Sequence, residues 1–459
     1  MKNQKFFIIL LFLILFSSIL CANNIKIDST WIVERNTTEH YYTIGFTLSW
    51  ENSFRDSINY DAAYIFMKYR KDIAGDTFFH ATLDTLDISH QIWSSNSMII
   101  DASFEKDNLG TGVMIFRTDT ANTDIACDSV HIRWYYNRGE TMTDGNSCTG
   151  LRVFGIEMVY IPEAKFFVGS FSKYYLHRYN KINNAPYQIL SEDSIKMGTN
   201  EGELWGSSIT ACTLPTAFPK GYAPFYMMRY EITQGQYRDF LMTLDSASAV
   251  NRYPNHYGEN RYYLQHIDNV YGCDANNNAV FDEPDDGEWI GCGWLPYQWG
   301  FHYLDWVGLR PMTELEFEKG CRGPKYPISG EYAWGTDTHT YGSIEFAYSD
   351  SERVTPANAN YSTNTYRVGG CAEPTGNRIE SGASYYGVMD LSYNLHEPVI
   401  ILSNEYAPST TSYTGNHGDG VIGTSPGWPA PSEKSKGISS INHVWNIDYW
   451  SGCRGVRSQ

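Results

Sequence analysis

Positive charge is scarce in this chain. Its 34 lysines and arginines stand against 52 aspartates and glutamates, a formal net charge of -18. That balance supplies no basic face for nucleic acid, so nucleic-acid partners are set aside. It leaves two readings of the acids: a well-solvated surface, or carboxylates of which some hold calcium, a hard cation available outside cells. C-x-x-C spacing is also missing, which argues against a zinc knuckle and a thioredoxin-like redox motif. Beyond residue 22 no run reaches the ~18 apolar residues that a membrane helix needs, so no transmembrane segment is expected there.

What is present begins with an export signal at 1–22. Lys2 and Lys5 form its positive start, Phe6 to Phe16 its apolar run, and Ser17 to Ala22 its small-residue cleavage region. Cleavage after Ala22 is the first expectation. Lipidation of Cys21 is the other, although Leu20 suits it poorly. The protein is then secreted, or held at the cell surface by its N-terminus. Eight cysteines follow: Cys127, Cys148, Cys212, Cys273, Cys292, Cys321, Cys371 and Cys453. An even number in an exported chain suggests disulfides, with Cys127–Cys148 and Cys273–Cys292 as the local pairs.

At 459 residues the chain has room for two or three domains. Residues 23–136 read as all-β. Tyr42, Ile44, Phe46, Leu48 and Trp50 alternate with smaller or polar residues, the period of a half-buried strand. Ala63 to Met67 is apolar on both parities, which predicts a central strand buried on both faces. Val113 to Phe116 and Val130 to Tyr136 add two more, with turn-rich pieces between them. An antiparallel sandwich of immunoglobulin-like type is expected. His40, His80, His90 and His131 are scattered in it and read as surface or satisfied core residues. Residues 137–152 are polar and glycine-rich and read as a linker, before a second domain over 153–459.

Within that domain the stretch 303–335 is the most informative. Phe301, Leu304 and Val307 recur at helical spacing, and Gly308 follows as a stop. Pro311 keeps Arg310 extended. Thr313 fits a helix N-cap with Glu316 three residues on, the spacing of a capping box. Gly323 and Pro324 end that second helix. Upstream, Thr233 and Gln236 repeat the capping pattern before Tyr237, Phe240 and Leu241. Between 170 and 220, Tyr174, Tyr175, Tyr179 and Tyr187 suggest a solvent-facing insertion. The loop DANNNAVFDEPDDG places Asp274, Asn276, Asn278 and Asp282 on alternate or near-alternate positions, so a tight turn would aim their oxygens inward at calcium. It departs from the EF-hand pattern at Ala279 and Asp285. A solvated acidic loop is the competing reading, and both stay open.

The run LRPMTELEFEKGCRG followed by YAWG resembles the signature of the formylglycine-generating enzyme, or sulfatase-modifying factor, family. Arg310, Pro311, Thr313, Glu314, Glu316, Glu318, Arg322, Gly323, Trp334 and Gly335 carry that likeness. Four further motifs follow the family order. Met158, Val159, Ile161, Pro162, Phe166 and Gly169 resemble its opening strand. FYMMRYEITQGQY resembles its E-V-T-N segment, with Glu231 as a structural carboxylate. Tyr386 to Leu391, then Asn394 and Glu397, resemble G-L-Y-D-M and G-N-V-W-E-W, although both tryptophans are replaced and Pro398 interrupts the run. Gly452, Arg454 and Gly455-Val456-Arg457 resemble its closing G-F-R strand. The resemblance implies an α+β chain whose second domain has a mixed α/β, C-type-lectin-like fold with much irregular backbone. It also implies calcium ligands at Asn358, Asn360, Asn394 and Glu397.

The family oxidises a sulfatase cysteine to formylglycine with oxygen and copper(I), gripped by two thiolates a few residues apart before the closing strand. Here only Cys453 follows Cys371, and it stands where the family has the phenylalanine of G-F-R. Copper therefore has no evident place, and no catalytic residue is assigned. The related iron-dependent sulfoxide synthases use histidines partly from an added helical domain. No such domain is read here, and His396, His417 and His443 fit no close ligand spacing. Three functions are carried forward. The first is a non-catalytic binding or structural scaffold for a protein, peptide or glycan. The second is a divergent oxidase of the family. The third is a surface module attached through its β domain.

Overall fold

The computed structural model describes residues 25–71, 77–102, 110–138, 142–169, 179–180, 185–206, 211–359, 364–373, 376–402, 413–423, 428, 436–440, 443–445 and 451–459. The export signal, Cys21 and Asn360 lie outside them. The described chain is mainly sheet, with four α-helices. The first nine strands are β1 (Thr30–Asn36), β2 (Tyr41–Arg55), β3 (Asp61–Lys71), β4 (Phe79–His80), β5 (Gln91–Ser94), β6 (Met98–Asp101), β7 (Val113–Arg117), β8 (Ala121–Tyr135) and β9 (Cys148–Ile161). The helices are α1 (Gln234–Leu241), α2 (Ser246–Val250), α3 (Tyr297–Val307) and α4 (Glu314–Arg322).

Two sheets organise the N-terminal half. One has the order β1-β2-β8-β5. The other runs from the strands at 310–311, 455–458 and 225–228 through β9 and β3 to β7 and β6, with β4 beside β3. Their facing sides share one core, in which Ile44, Phe46, Ile132 and Trp134 meet Ala63, Ile65, Met67 and Val113.

β3 is buried on both faces, as its unbroken apolar run implies. Its odd positions face the four-stranded sheet. Ala62, Tyr64 and Phe66 face the other way, into a core with Phe240, Trp306 and Leu309. Two polar groups are satisfied across that second face. The Tyr64 hydroxyl donates to the Val307 carbonyl at 3.0 Å. Lys68 Nζ donates to the carbonyls of Trp306 and Gly420, both at 2.7 Å.

The expected break between domains falls differently. Residues 148–152, read as the end of a linker, open β9. β9 pairs antiparallel with β3 from Asp61↔Val159 to Lys71↔Cys148. Its far end also pairs with the strand at 225–228, Phe225↔Ile161 to Met228↔Met158. One ladder thus joins the two halves. The polarity of Thr149, Gly150 and Arg152 suggested a linker, but cross-strand hydrogen bonding outweighs propensity at such positions.

The insertion is also more integrated than its tyrosines suggest. Ile189, Ile195, Met197, Leu204 and Leu214 are buried in the central core, and Tyr187 is half-buried against it. Tyr174 and Tyr175 lie outside the described residues.

If β3 is a shared partition, the two faces unfold together. Ile65→Ala on one face should cost about 2–5 kcal/mol, and Phe66→Ala on the other about 3–5 kcal/mol. Each should lower one common urea transition followed by tryptophan fluorescence. Two separate transitions, each sensitive to only one of the variants, would show that the halves are independent.

Candidate functional site

The signature segment folds as its spacing dictates. α3 ends at Gly308, whose φ of 80° is the left-handed geometry that a Cβ disfavours. Arg310 and Pro311 then lie extended and pair with Val456 and Gly455 of the closing strand. The Thr313 hydroxyl accepts from Glu316 N at 3.2 Å, and Glu316 Oε2 accepts from Thr313 N at 2.9 Å, which completes the capping box. Phe317 and Cys321 pack beneath the sheet with Met227, Leu391 and Val456.

The acidic side of α4 is not a solvated face. All nine of its residues are buried. Glu316 pairs with both terminal nitrogens of Arg310, at 2.6 and 2.9 Å. Glu318 accepts from Gly169 N at 2.7 Å and from Arg322 at 3.1 Å. Arg322 also donates to Glu331 at 2.6 Å. Trp334 is buried, and its indole N–H donates to Thr338 O at 2.9 Å. The signature residues are thus a folding device and form no open reactive cluster.

A second buried network surrounds Arg454. Its guanidinium pairs with Glu397 and donates to the carbonyls of Met228, Arg229 and Met389 at 2.8–2.9 Å. Glu231 accepts from Leu395 N at 3.0 Å and from the Asn394 amide at 2.5 Å. Asn394 Oδ1 accepts from Tyr366 N at 3.0 Å, and Asn358 Oδ1 from Thr340 N at 2.8 Å. The positive charge beside Glu397 is already that of Arg454, and both asparagine oxygens point at main-chain donors. Burial raises the carboxyl of Glu397 to about 7, and pushes those of Glu231 and Asp390 up as well.

The acidic loop at 274–287 is built differently from its sequence reading. Asp274 is buried, and its oxygens accept from Asn278 N at 3.0 Å, Ala279 N at 3.2 Å and Gln265 at 3.1 Å. Asp282 accepts from Cys273 N at 2.9 Å and pairs with Arg238 at 2.6 Å. Asp274 and Asp282 therefore shape the loop. The group that converges is Glu283, Asp285 and Asp286, with ligand-type oxygens all within 4.8 Å of one another. Asn276 and Asn278 turn their amide N–H groups toward Glu283, at 3.4 and 2.5 Å. The sequence held a signal for this trio, three acids within four positions before Gly287, but alternate spacing drew attention to the first half of the loop.

Six of the eight described cysteines are buried, and Cys148 and Cys212 are half-buried. All eight described cysteines are free in this structure, those of the expected local pairs Cys127–Cys148 and Cys273–Cys292 included. Cys371 packs with Val354 and Ala357, in a different cluster from Cys453. Cys453 has Cys292 as its neighbour. Ile232 N donates to Cys453 O at 2.9 Å, and Cys292 N donates to Ile232 O at 2.8 Å. Both thiols are fully buried. Gly300 of α3 closes over Cys453, where an added Cβ would lie 2.9 Å from its sulfur. Burial pushes both thiols up, and the field of Cys453 adds to the effect on Cys292.

Two cavities open elsewhere. One of about 220 Å³ is lined by Ile25, Phe66, Gly155, Arg238, Glu288 and Trp306. The larger, about 630 Å³, lies between the turn after β2 and the 372–389 loops, and is lined by Asn52, Arg55, Arg229, Arg378, Tyr385 and Tyr386. No cysteine lines either one. Among the histidines, His80 and His90 place Nε2 on the carbonyls of Thr111 and Asp84, and His417 Nε2 accepts from Ser458 N. Compared with models of known protein families and with curated proteins, the chain matches none.

Burial, against the opposing pull of Arg322, raises the Glu318 carboxyl to about 7. Its unfolded value is about 4.3. A raised carboxyl adds stability that is complete below the unfolded pKa and lost as pH climbs through the folded one. The advantage of the native protein over Glu318→Gln should therefore shrink by roughly 2 kcal/mol between pH 5 and pH 8. Urea midpoints of the two proteins at both pH values measure it. A difference that holds constant or grows with pH would contradict the buried, proton-holding carboxyl.

Proposed function

We propose that this is an exported, non-catalytic scaffold: a formylglycine-generating-enzyme-like, C-type-lectin-like domain fused to an immunoglobulin-like sandwich, which binds a protein, peptide or glycan. The support for the family is the set of signature positions, now seen as mutually bonded. Arg310 with Glu316, Glu318 with Arg322 and Arg454 with Glu397 are partners, not separate matches.

The observation that carries the non-catalytic part is the burial of Cys453. A copper(I) site of the family kind needs thiolates that oxygen and a substrate cysteine can reach. Cys453 and its neighbour Cys292 are fully buried, held as neutral thiols, and line neither cavity. The larger cavity suits a ligand better, with arginine and tyrosine side chains on its wall.

The competing reading, a divergent oxidase, would rest on Cys292 and Cys453. Incubating the exported chain with copper, oxygen and a peptide carrying a sulfatase cysteine motif separates the two. Mass spectrometry should show an unchanged peptide, also after addition of a reductant. An aldehyde-bearing product that disappears in Cys453→Ser would establish the oxidase and remove the scaffold reading.

A further inference from the structure

The loop between Cys273 and Cys292 carries a feature that neither fold nor scaffold requires. Glu283, Asp285 and Asp286 bring carboxylate oxygens within 4.8 Å of one another. Among the described residues none of the three is ion-paired. Arg238 of α1, which pairs with Asp282 of the loop, is also engaged by Glu288 and Asp239. Three like charges at such separations repel, and the cost grows as water is removed.

Asp286 adds an independent observation. Its side chain is fully buried, with an exposure of 0%. One oxygen, Oδ2, accepts from Glu283 N at 2.8 Å. The other, Oδ1, is shut off from solvent and has no hydrogen-bond partner. An unmatched buried carboxylate oxygen is expensive, and native structures rarely keep one without a use. The residue that carries it belongs to the converging trio.

We infer that Glu283, Asp285 and Asp286 hold a calcium ion. An all-oxygen donor set selects a hard cation and disfavours zinc or copper. Calcium accepts the irregular, partly bidentate arrangement that two adjacent acids and a third close by provide. Magnesium demands near-ideal octahedral geometry and keeps its waters. The exposed Asp285 and half-buried Glu283 give the ion a route in, and the buried Asp286 supplies its inner wall. Asn276 and Asn278 sit beside the trio with their amide N–H groups on Glu283 and Asp285, while their side-chain oxygens accept from Asn278 N and Val280 N. Asp274 and Asp282 are positioning residues, which fold the loop from within and tie it to the Cys273 end of the hairpin.

The inference is independent of the scaffold reading: an oxidase and a binding module alike could carry this loop. Extracellular calcium modules bind at about 10⁻⁴–10⁻³ M, which sets the concentration range of the test. Calorimetry of the full chain with calcium should show one site in the loop, and terbium should bind there with luminescence sensitised by Tyr257, whose hydroxyl contacts Asn277. Asp286→Asn and Asp285→Asn should each weaken calcium at least about tenfold and abolish the terbium signal. Asp285 is exposed, so its substitution leaves folding intact and keeps the test open if Asp286→Asn misfolds. Calcium should also raise the melting temperature of the native chain and leave that of Asp285→Asn unmoved. No calcium heat at millimolar concentration, an isotherm unchanged in Asp285→Asn, or equal competition by magnesium would each overturn the assignment.

Discussion

The pairing of β3 with β9 is the constraint on which the rest of the molecule depends. A strand with apolar side chains on both parities has no stable place at a surface, so it must be covered twice. The four-stranded sheet covers one face, and α1, α3 and their loops cover the other. β9 matches β3 along almost its whole length and then passes on to the strand at 225–228. The two halves of the chain are therefore consecutive in sequence but share a wall. Removing either half would expose a face of β3 that was never built for water, and this is why a boundary drawn in polar sequence does not separate folding units.

Beyond that wall the chain has little regular structure, and buried arginines take over the work of hydrogen bonding. Irregular loops leave carbonyl groups without ladder partners, and each buried one needs a donor. Arg454 supplies three such carbonyls from two segments and neutralises Glu397 as well. Arg310 links Glu316 to Ser458 of the closing strand. A leucine of similar volume would avoid the desolvation cost of each pair, and on stability alone it would often do as well. It would not fix which loop lies against which strand. These pairs specify an arrangement that apolar packing alone leaves undetermined.

Much of this was legible in the residues. The helix at 297–307, the stop at Gly308, both capping boxes and the double burial of β3 follow from periodicity and local hydrogen-bond logic, which act within a few positions. The acids of α4 also read correctly as helix residues, but their burial did not, because Gly169 reaches Glu318 from a distant segment and Glu331 engages Arg322 from beyond the helix. The acidic loop shows the same limit at shorter range. Alternate spacing pointed to Asp274 and Asp282, yet main-chain N–H groups of the loop and Arg238 claim those oxygens. Only after that does the trio at 283–286 stand out as what is left over.

Sulfur and oxygen ligands end up in opposite environments, and the contrast bears on what kind of chemistry this body can support. Cys292 and Cys453 sit under α3, where burial holds the proton on each thiol and withholds the charge that a soft metal needs. A pair of thiols in such a place behaves as apolar packing, and Gly300 is kept small to admit one of the sulfurs. The carboxylates at 283–286 lie at an edge instead, where an ion can enter from solvent and where the one sealed oxygen makes entry worthwhile. A reactive copper site must open to oxygen and substrate, whereas a structural calcium site need only hold a loop in shape. On the scaffold reading, the resemblance to an oxidase and the missing thiolate pair are then compatible: the buried arginine pairs preserve the architecture, and the chemistry that once required an open sulfur pocket no longer constrains where the cysteines lie.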